Sequence, residues 1–552
     1  MDYKKLADLL FPNLKNTVEY YELLYPNRKI KEGQEVTRFA PSPTGFVHLG
    51  NFFGAYLDYW IAKSTGGVFY IRLEDTDEKR KISGAEKVAL RMLYHYGIKN
   101  AEGLMKNGTE AGNYGPYVQS KRVDIYKAYA KYLVEQGKAF PCFCNANEGG
   151  KKEIDERRKQ ELEESETIEE KDIACRSLTF DEIKKKVDAG EFFAVKLRSE
   201  GDPKNKIKFS DVRGEREISE NGKDVVLLKS DGIPPYAFAH IVDDYLMRTT
   251  LVVRGQDYYS SLAQHLEIAK ALGVNGFRYL HNPLLSKLDS VTGNKRKLSK
   301  RYDPEADMRY FEKEGYPKES VLEYLLTLMN SNFEIWRLEN PKAKLENFPF
   351  SLSKIGTSDP MVDINKLDDI SKRIVSVMSA KKVYSNVLKW AKKNDKEFAN
   401  FLTSNKDYSV NFLNIDRQKE NPRKDIYKWN QVPEYFDYMW KDIHPDTSIT
   451  GVDSVIICEV LNNYAKQYSE KDSKDEWYEK TKQMASDLGF AVNNKEFKSN
   501  PSLYKGNLAT VFNIIRVATT GKTKTPELYD ICKILGKFKL KDRYNAIKKC
   551  NR

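Results

Sequence analysis

RFAPSPTGFVHLGN, residues 38–51, joins the end of an apolar strand to the start of a helix through a segment that cannot itself be helical. Pro41 and Pro43 fix φ and remove two N–H donors, while Gly45 permits a tight backbone path. The resulting rigid loop delivers His48 and Asn51 to the first turn of the next helix. Free N–H groups and the helix dipole favour an anion there. Gly50, in the same turn, lets a flat or bulky ligand lie against the backbone. On its own the stretch admits two readings, a phosphate site or an ordinary strand–turn–helix with a capping histidine.

Working outward, VTRFAP (36–41) reads as a strand and VHLGNFFGAYLDYWIAK (47–63) has helical periodicity with an apolar face. GGVFYIRLEDTD (66–77) is an apolar strand ending in acid groups, followed by helical patterns at 84–97 and 118–137. Strand, helix, strand, helix predicts a parallel, doubly wound sheet. From 138 to about 225 the pattern changes to short strands and polar turns, with a charge-dense run at 151–172 that reads as a solvated helix or surface. The α/β grammar resumes over 224–273, so an insertion splits the sheet domain. Beyond about 305 nearly everything reads helical, with turn signals at Gly315-Tyr316-Pro317, Thr357-Ser358-Asp359-Pro360 and Asn421-Pro422. Residues 1–34 read as short amphipathic helices that pack onto the rest.

Composition bounds these readings. A chain of 552 residues, 40% hydrophobic and 12% aromatic, can fill the cores of three or four domains and is not disordered. Lys and Arg number 92 against 80 Asp and Glu, a net charge of +12 that suits a polyanionic partner, although a lysine bias gives the same sum. There is no signal-peptide core and no stretch near the roughly 20 apolar residues of a membrane span, so a soluble cytoplasmic protein is expected. Six cysteines are too few for a disulfide scaffold of this size.

A second phosphate signal is NKRKLSKR (294–301), five Lys or Arg around a serine with Gly293 just before. A short basic loop of this kind suits a pyrophosphate whose charge grows during transfer. It follows the first motif at a distance that spans the whole split sheet domain.

Together the motifs resemble a family. VHLGN (47–51) resembles the HIGH signature of class I aminoacyl-tRNA synthetases, and KLSKR (297–301) their KMSKS loop. RFAPSPTG (38–45), RLEDTD (72–77), VDD with RGQD (242–244, 254–257) and TGKTKTPELYDICKILGK (520–537) resemble the bacterial-type glutamyl-tRNA synthetases. The related glutaminyl enzymes favour a PEPNG-like loop and typically end in β-barrels, which a helical end does not match. The resemblance implies an α/β fold: a split Rossmann-like parallel-sheet catalytic domain with an inserted acceptor-binding domain, followed by an all-helical C-terminal anticodon-binding region. The expected boundaries are an N-terminal extension (1–34), the first catalytic half (35–137), the insertion (138–225) and the second half with the KLSKR loop (226–303). A helical stem-contact domain (304–378) and the anticodon-binding domain (379–552) follow.

The implied reaction is ATP-dependent ligation of L-glutamate to tRNA(Glu), through a glutamyl adenylate, by a cytoplasmic monomer with Mg²⁺ accompanying ATP. The resemblance makes His48, Asn51, Lys297 and Lys300 catalytic, and gives ATP His48, Gly50, Asn51, Asp257, Leu298, Ser299 and Lys300. It gives glutamate Arg38, Ala40, Ser42, Glu74, Tyr236, His240 and Arg254, with Glu74 on the ammonium group. Arginine suits a carboxylate because its planar fork donates two parallel hydrogen bonds. His240 stands where the family often has Asn. Cys142, Cys144 and Cys175 resemble a zinc site of some members, but those members add a further ligand just after the third cysteine, where this chain has Arg176 and Ser177, so zinc is not expected. From Pro501 to Arg552 twelve Lys or Arg face three Asp or Glu, and Arg516, Lys522, Lys524 and KFKLKDR (537–543) are candidate tRNA phosphate contacts. Rival readings are a non-discriminating enzyme that also charges tRNA(Gln), and a catalytically inactive tRNA-binding paralogue. A truncated relative that glutamylates a modified tRNA base lacks the helical end.

Overall fold

In the computed structural model, residues 1–43, 45, 47–77, 81–144, 174–274, 277–289 and 291–550 are described, the last three by backbone alone. The charge-dense run at 151–172 lies outside them, as does the side chain of Cys550. The chain divides into two compact units, residues 1–310 with 322–363, and residues 311–321 with 364–552.

The first unit opens with helices α1 (Tyr3–Leu10) and α2 (Val18–Leu24). Leu6, Ala7 and Leu10 recur at helical spacing and are buried in one cluster with Ile125, Tyr129 and Leu133 of a later helix. Strand β1 (Val36–Phe39) then runs into helix α3 (Leu49–Thr65), and β2 (Val68–Ile71) returns parallel to β1 with Arg38 opposite Tyr70. The tight return needs glycine twice. Gly66 caps α3 at φ 66°, and a Cβ on Gly67 would come within 1.9 Å of the Glu35 carbonyl oxygen. Helix α4 (Ala85–His95), strands β3 (Glu102–Leu104) and β4 (Glu110–Ala111), and helix α5 (Val123–Glu135) complete a sheet ordered β1-β2-β3-β4.

The chain next enters β5 (Ala139–Cys142), helix α6 (Phe180–Asp188), β6 (Ala194–Leu197), β7 (Lys206–Asp211), β8 (Gly214–Ser219) and β9 (Val225–Leu228). Strands β5, β6 and β9 form a separate antiparallel sheet. The β7–β8 hairpin does not stay with it. Helix α7 (Tyr236–Leu246), β10 (Leu251–Gly255), helix α8 (Leu262–Leu272) and β11 (Arg278–Asn282) follow, and β7 pairs in parallel with β11 through Ser210 and Asp211. The second sheet is therefore β10-β11-β7-β8, so two strands from within 138–225 extend the sheet of the second α/β half. The two halves meet where β1 lies against β10, with Thr250 donating its N–H to the Val36 carbonyl. The antiparallel pair β12 (Ser286–Leu288) and β13 (Lys295–Lys297) then carries the basic loop.

The named elements beyond Lys297 are helical. The stretch 304–378, expected as one body, is shared between the units: helix Lys318–Met329 begins in the second and continues in the first. In the second unit, helices Ala380–Asn394, Lys396–Ser404, Lys406–Asn414, Ser454–Gln467, Leu508–Thr520 and Leu528–Cys550 bury Val383, Leu402, Phe412, Leu461 and Ile514 in one core. Among the described residues no helix is long and apolar enough to cross a membrane.

Candidate active site

A cleft of about 660 Å³ opens where β1 and β10 end and α3 and α7 begin. Such crevices at strand carboxyl ends are where open parallel sheets bind ligands. Of the residues singled out in the sequence, Arg38, Ala40, Ser42, His48, Gly50, Asn51, Glu74, Tyr236, Arg254, Asp257 and Lys297 line it. Lys300 lines a small adjoining pocket that shares Ser42 and Asn51. Leu298 is buried beneath the basic loop, Ser299 lies within that loop, and His240 is not on the cleft wall.

Where α3 begins, His48 is the capping histidine that its position allowed. It is the N-cap of α3, its Nδ1 accepting from the Gly50 N–H at 2.9 Å. That bond puts the neutral ring's proton on Nε2. Burial pushes the His48 pKa below the usual range, and Lys300 and Lys297 push it the same way, while a hydrogen bond to the Leu298 backbone pulls it up. The two signature motifs thus touch. A Cβ on Gly50 would stand 3.1 Å from His48 Nδ1, so glycine here also makes room for the capping ring.

The basic loop is held from below. Arg296 donates to both Asp303 oxygens, at 2.6 and 2.9 Å, and Asp303 in turn accepts from the Ser299 N–H at 2.9 Å. Lys287 is ion-paired to Glu305. Lys297 Nζ lies 2.9 Å from Asp257 Oδ2 in an exposed pair, which bridges the loop to the end of β10.

On the far side of the cleft, α7 presents Tyr236, His240 and Asp244 at i, i+4 and i+8, one helical face. Asp244 is fully buried and accepts from Arg38 Nε at 3.0 Å, Arg72 Nη1 at 2.6 Å and His240 Nδ1 at 2.7 Å. Burial opposes its ionisation, but Arg38 and Arg72 outweigh that and hold the carboxyl well below the usual range. Burial drives His240 down to about 4, against the pull of Asp244, so its ring is neutral and stacks on Tyr236 at 5.2 Å. Arg72 also donates to Glu74 at 2.9 Å. Burial raises the Glu74 pKa while Arg72 and Arg38 lower it.

Arg254 differs. It is 6% exposed and among the described residues has no carboxylate within ion-pair distance. Its Nε donates to His281 Nε2 at 3.2 Å, its Nη1 to His265 Nδ1 at 2.6 Å, and its Nη2 is buried without a hydrogen-bond partner. Arg72 and Asp244 stand in the quoted motifs but were given no role there, and His265 and His281 were not singled out in the sequence. The one available signal was the alternation Arg72-Leu73-Glu74, which puts both charges on the same side of the strand end.

Cys142, Cys144 and Cys175 place their sulfurs within 4.8 Å of one another, with Cys144 and Cys175 3.2 Å apart. Burial raises the Cys142 pKa and takes Cys144 up to about 12. Ser177 hydrogen-bonds the Ala174 carbonyl at 3.2 Å. Three sulfurs do not close a structural zinc tetrahedron.

In the helical unit, three of the basic residues expected on phosphates are engaged in holding the fold. Arg516 donates to Thr525 Oγ1 at 2.7 Å, Lys522 pairs with Asp437 at 2.9 Å, and buried Arg543 donates to the carbonyls of Thr519 and Tyr438. Charge counting cannot see this, because helix ends present carbonyls that bind cations as phosphates do.

A strand–loop–helix whose capping histidine meets a basic loop from the far half of a split parallel sheet defines an adenylate-forming class I synthetase site. Residues 34–344 match the family model for the class I tRNA synthetases (E and Q), catalytic domain, and residues 505–547 match an anticodon binding domain. The chain belongs to that class I synthetase family. Within it, the chain is 42% identical to a protein from Acetivibrio thermocellus named glutamate–tRNA ligase, over 99% of this chain and 100% of that one. A Clostridium perfringens protein of the same name is 38% identical over 99% of each chain. The crystal structure of the Elizabethkingia anophelis glutamate–tRNA synthetase shares the fold, with a TM-score of 0.72 at 23% identity over 93% of this chain and 100% of that one.

Proposed function

We propose that the chain activates L-glutamate with ATP and transfers it to the 3′ end of tRNA(Glu). The observation that carries this is that Glu74 and Arg254 line one cleft together with His48 and Lys297. A buried carboxylate and a buried guanidinium without a counter-ion suit an amino acid that carries an ammonium group and a side-chain carboxylate. Bound to Glu74, the substrate ammonium joins Arg72 in favouring the ionised acid. Arg38, held by Asp244, and Tyr236 close the same wall, with Ser42 and the Ala40 backbone beside them.

The first step is in-line attack of the glutamate α-carboxylate on the α-phosphorus of ATP, with pyrophosphate leaving. In the second, a terminal ribose hydroxyl of tRNA attacks the acyl carbon and AMP leaves. Catalysis of both is mainly positioning and charge stabilisation. His48, Gly50 and Asn51 hold the nucleotide at the start of α3, with Asp257, Leu298 and Ser299 framing it. Lys297 and Lys300 neutralise the departing pyrophosphate, and burial, which lowers the Lys300 pKa, is offset by the gain of that partner. Mg²⁺ would ride on the nucleotide's phosphate oxygens and spread their charge. Glutamine would bring an amide N–H to Arg254 and leave its charge unpaired, so the cleft rejects it without editing.

Glutamate-dependent ATP–pyrophosphate exchange, with and without tRNA, tests the reading. Exchange that requires glutamate supports it; none in the presence of tRNA sinks it. Arg254→Ala should raise the KM for glutamate, and an unchanged KM removes Arg254 from the pocket.

A further inference from the structure

Three arginines crowd the amino-acid end of the cleft, and they are not equivalent. Arg38 and Arg72 share the Asp244 carboxylate, and Arg72 also holds Glu74. Arg254 is as deeply placed, yet its two bonded nitrogens face imidazoles. A guanidinium never accepts a hydrogen bond and keeps its proton throughout the working pH range. Each imidazole must therefore be the acceptor, which assigns both tautomers: His265 carries its proton on Nε2, and His281 on Nδ1, toward Asp211 Oδ2 at 3.8 Å. Burial, reinforced by His240 and Arg254, pushes His265 far below the ordinary imidazole range, and burial also lowers His281.

Both rings stand off the cleft wall and are held in place by packing. His281 sits opposite Arg254 across the β10–β11 ladder and stacks on Tyr279 at 5.7 Å. His265 projects from α8 and meets the edges of His240 and Tyr236 at 4.9 and 5.8 Å. Two Arg254 donors are thus satisfied with no charge spent, and the third nitrogen is buried in the cleft wall without a partner. A carboxylate in place of either ring would satisfy the same donor and cancel the guanidinium charge.

We propose that His265 and His281 are positioning residues that determine specificity: a neutral imidazole cradle that orients Arg254 while leaving its full positive charge for the substrate side-chain carboxylate. This rests on the glutamate reading above. It also explains why fixing an arginine at this spot with an acidic partner, as at Arg38, would not serve. The cleft would then hold no excess positive charge at that end, and a carboxamide would fit as well as a carboxylate.

The experiment compares isosteric substitutions in the full-length chain, read by tRNA-supported ATP–pyrophosphate exchange with glutamate and with glutamine. His265→Asn keeps an acceptor near the Nδ1 position; His265→Asp has the same shape and adds a charge. His265→Asp should raise the glutamate KM about tenfold or more, with a smaller effect on kcat, and reduce the preference for glutamate over glutamine. His265→Asn should restore most of the wild-type KM and preference. Equal behaviour of the two variants overturns the cradle. If His265→Asp does not yield folded protein, His281→Glu against His281→Gln makes the same comparison, with the same two outcomes. A wild-type chain that shows no glutamate-dependent exchange defeats the functional reading; an active wild type with equal variants defeats the cradle alone.

Discussion

Replacing Asp244 by Asn removes one negative charge from a site where two guanidiniums and an imidazole converge within 3.0 Å or less of its oxygens. All four groups are buried. Arg72 keeps Glu74 at 2.9 Å, but Arg38 retains only a carbonyl, that of Val253 at 3.1 Å. Leaving a buried charge without its counter-ion costs about 3–5 kcal/mol, or roughly two to nearly four decades in an opening equilibrium. Asp244 lies between the two halves of the split domain, bound to Arg38 of β1 and to Arg72 just past β2 on one side and carried by α7 on the other. Hydrogen exchange of the amides of β1, β2 and α7 should therefore accelerate by that factor, while the second unit exchanges as before. The pH dependence has a definite sign. The folded carboxyl titrates well below its unfolded value of about 3.9, so its contribution is complete above that pH and fades as pH falls further. The gap between wild type and Asp244→Asn should be full at pH 7 and shrink below about pH 4. Protection within tenfold of wild type at pH 7 would refute the reasoning.

Three further outcomes are expected. Lys300→Ala should cut glutamate-dependent exchange by orders of magnitude and leave tRNA affinity nearly unchanged; loss of tRNA binding alone would mean the loop has another task. In a ¹⁵N-histidine NMR titration of the chain's six histidines, His48, assigned by its loss in His48→Gln, should still be neutral at about pH 6.5, the ordinary midpoint. Arg543→Met should destabilise the helical unit by about 2–4 kcal/mol in urea unfolding, since two buried carbonyls lose their donor. The salt slope of its tRNA binding should not change, whereas loss of a true phosphate contact lowers the slope by about 1.

What could be read before the structure follows from the range of the interactions involved. The 38–51 turn is legible because Pro41, Pro43 and Gly45 act on their own backbone. Arg72 and Asp244 lie on elements joined by no local period, so nothing in either neighbourhood announces their bond. The same holds for Arg254, whose partners come from α8 and from the next strand of the ladder. That β7 and β8 join the β10–β11 sheet could not be read for a related reason. Alternation marks a strand but does not say which sheet edge will accept it. Composition likewise cannot separate Arg543, taken up by the carbonyls of Thr519 and Tyr438, from a side chain that binds phosphate.

The most direct measurement is the charging of purified tRNA(Glu) and tRNA(Gln) by the full-length chain with ATP, supplied with labelled glutamate or labelled glutamine. Glutamate should be esterified to tRNA(Glu), with glutamine rejected by a large factor because Arg254 would be left unpaired. Glutamate on both tRNAs would keep the chemistry and select the non-discriminating enzyme. Glutamine charged as readily as glutamate would contradict the central claim, that a buried and uncompensated guanidinium chooses the substrate.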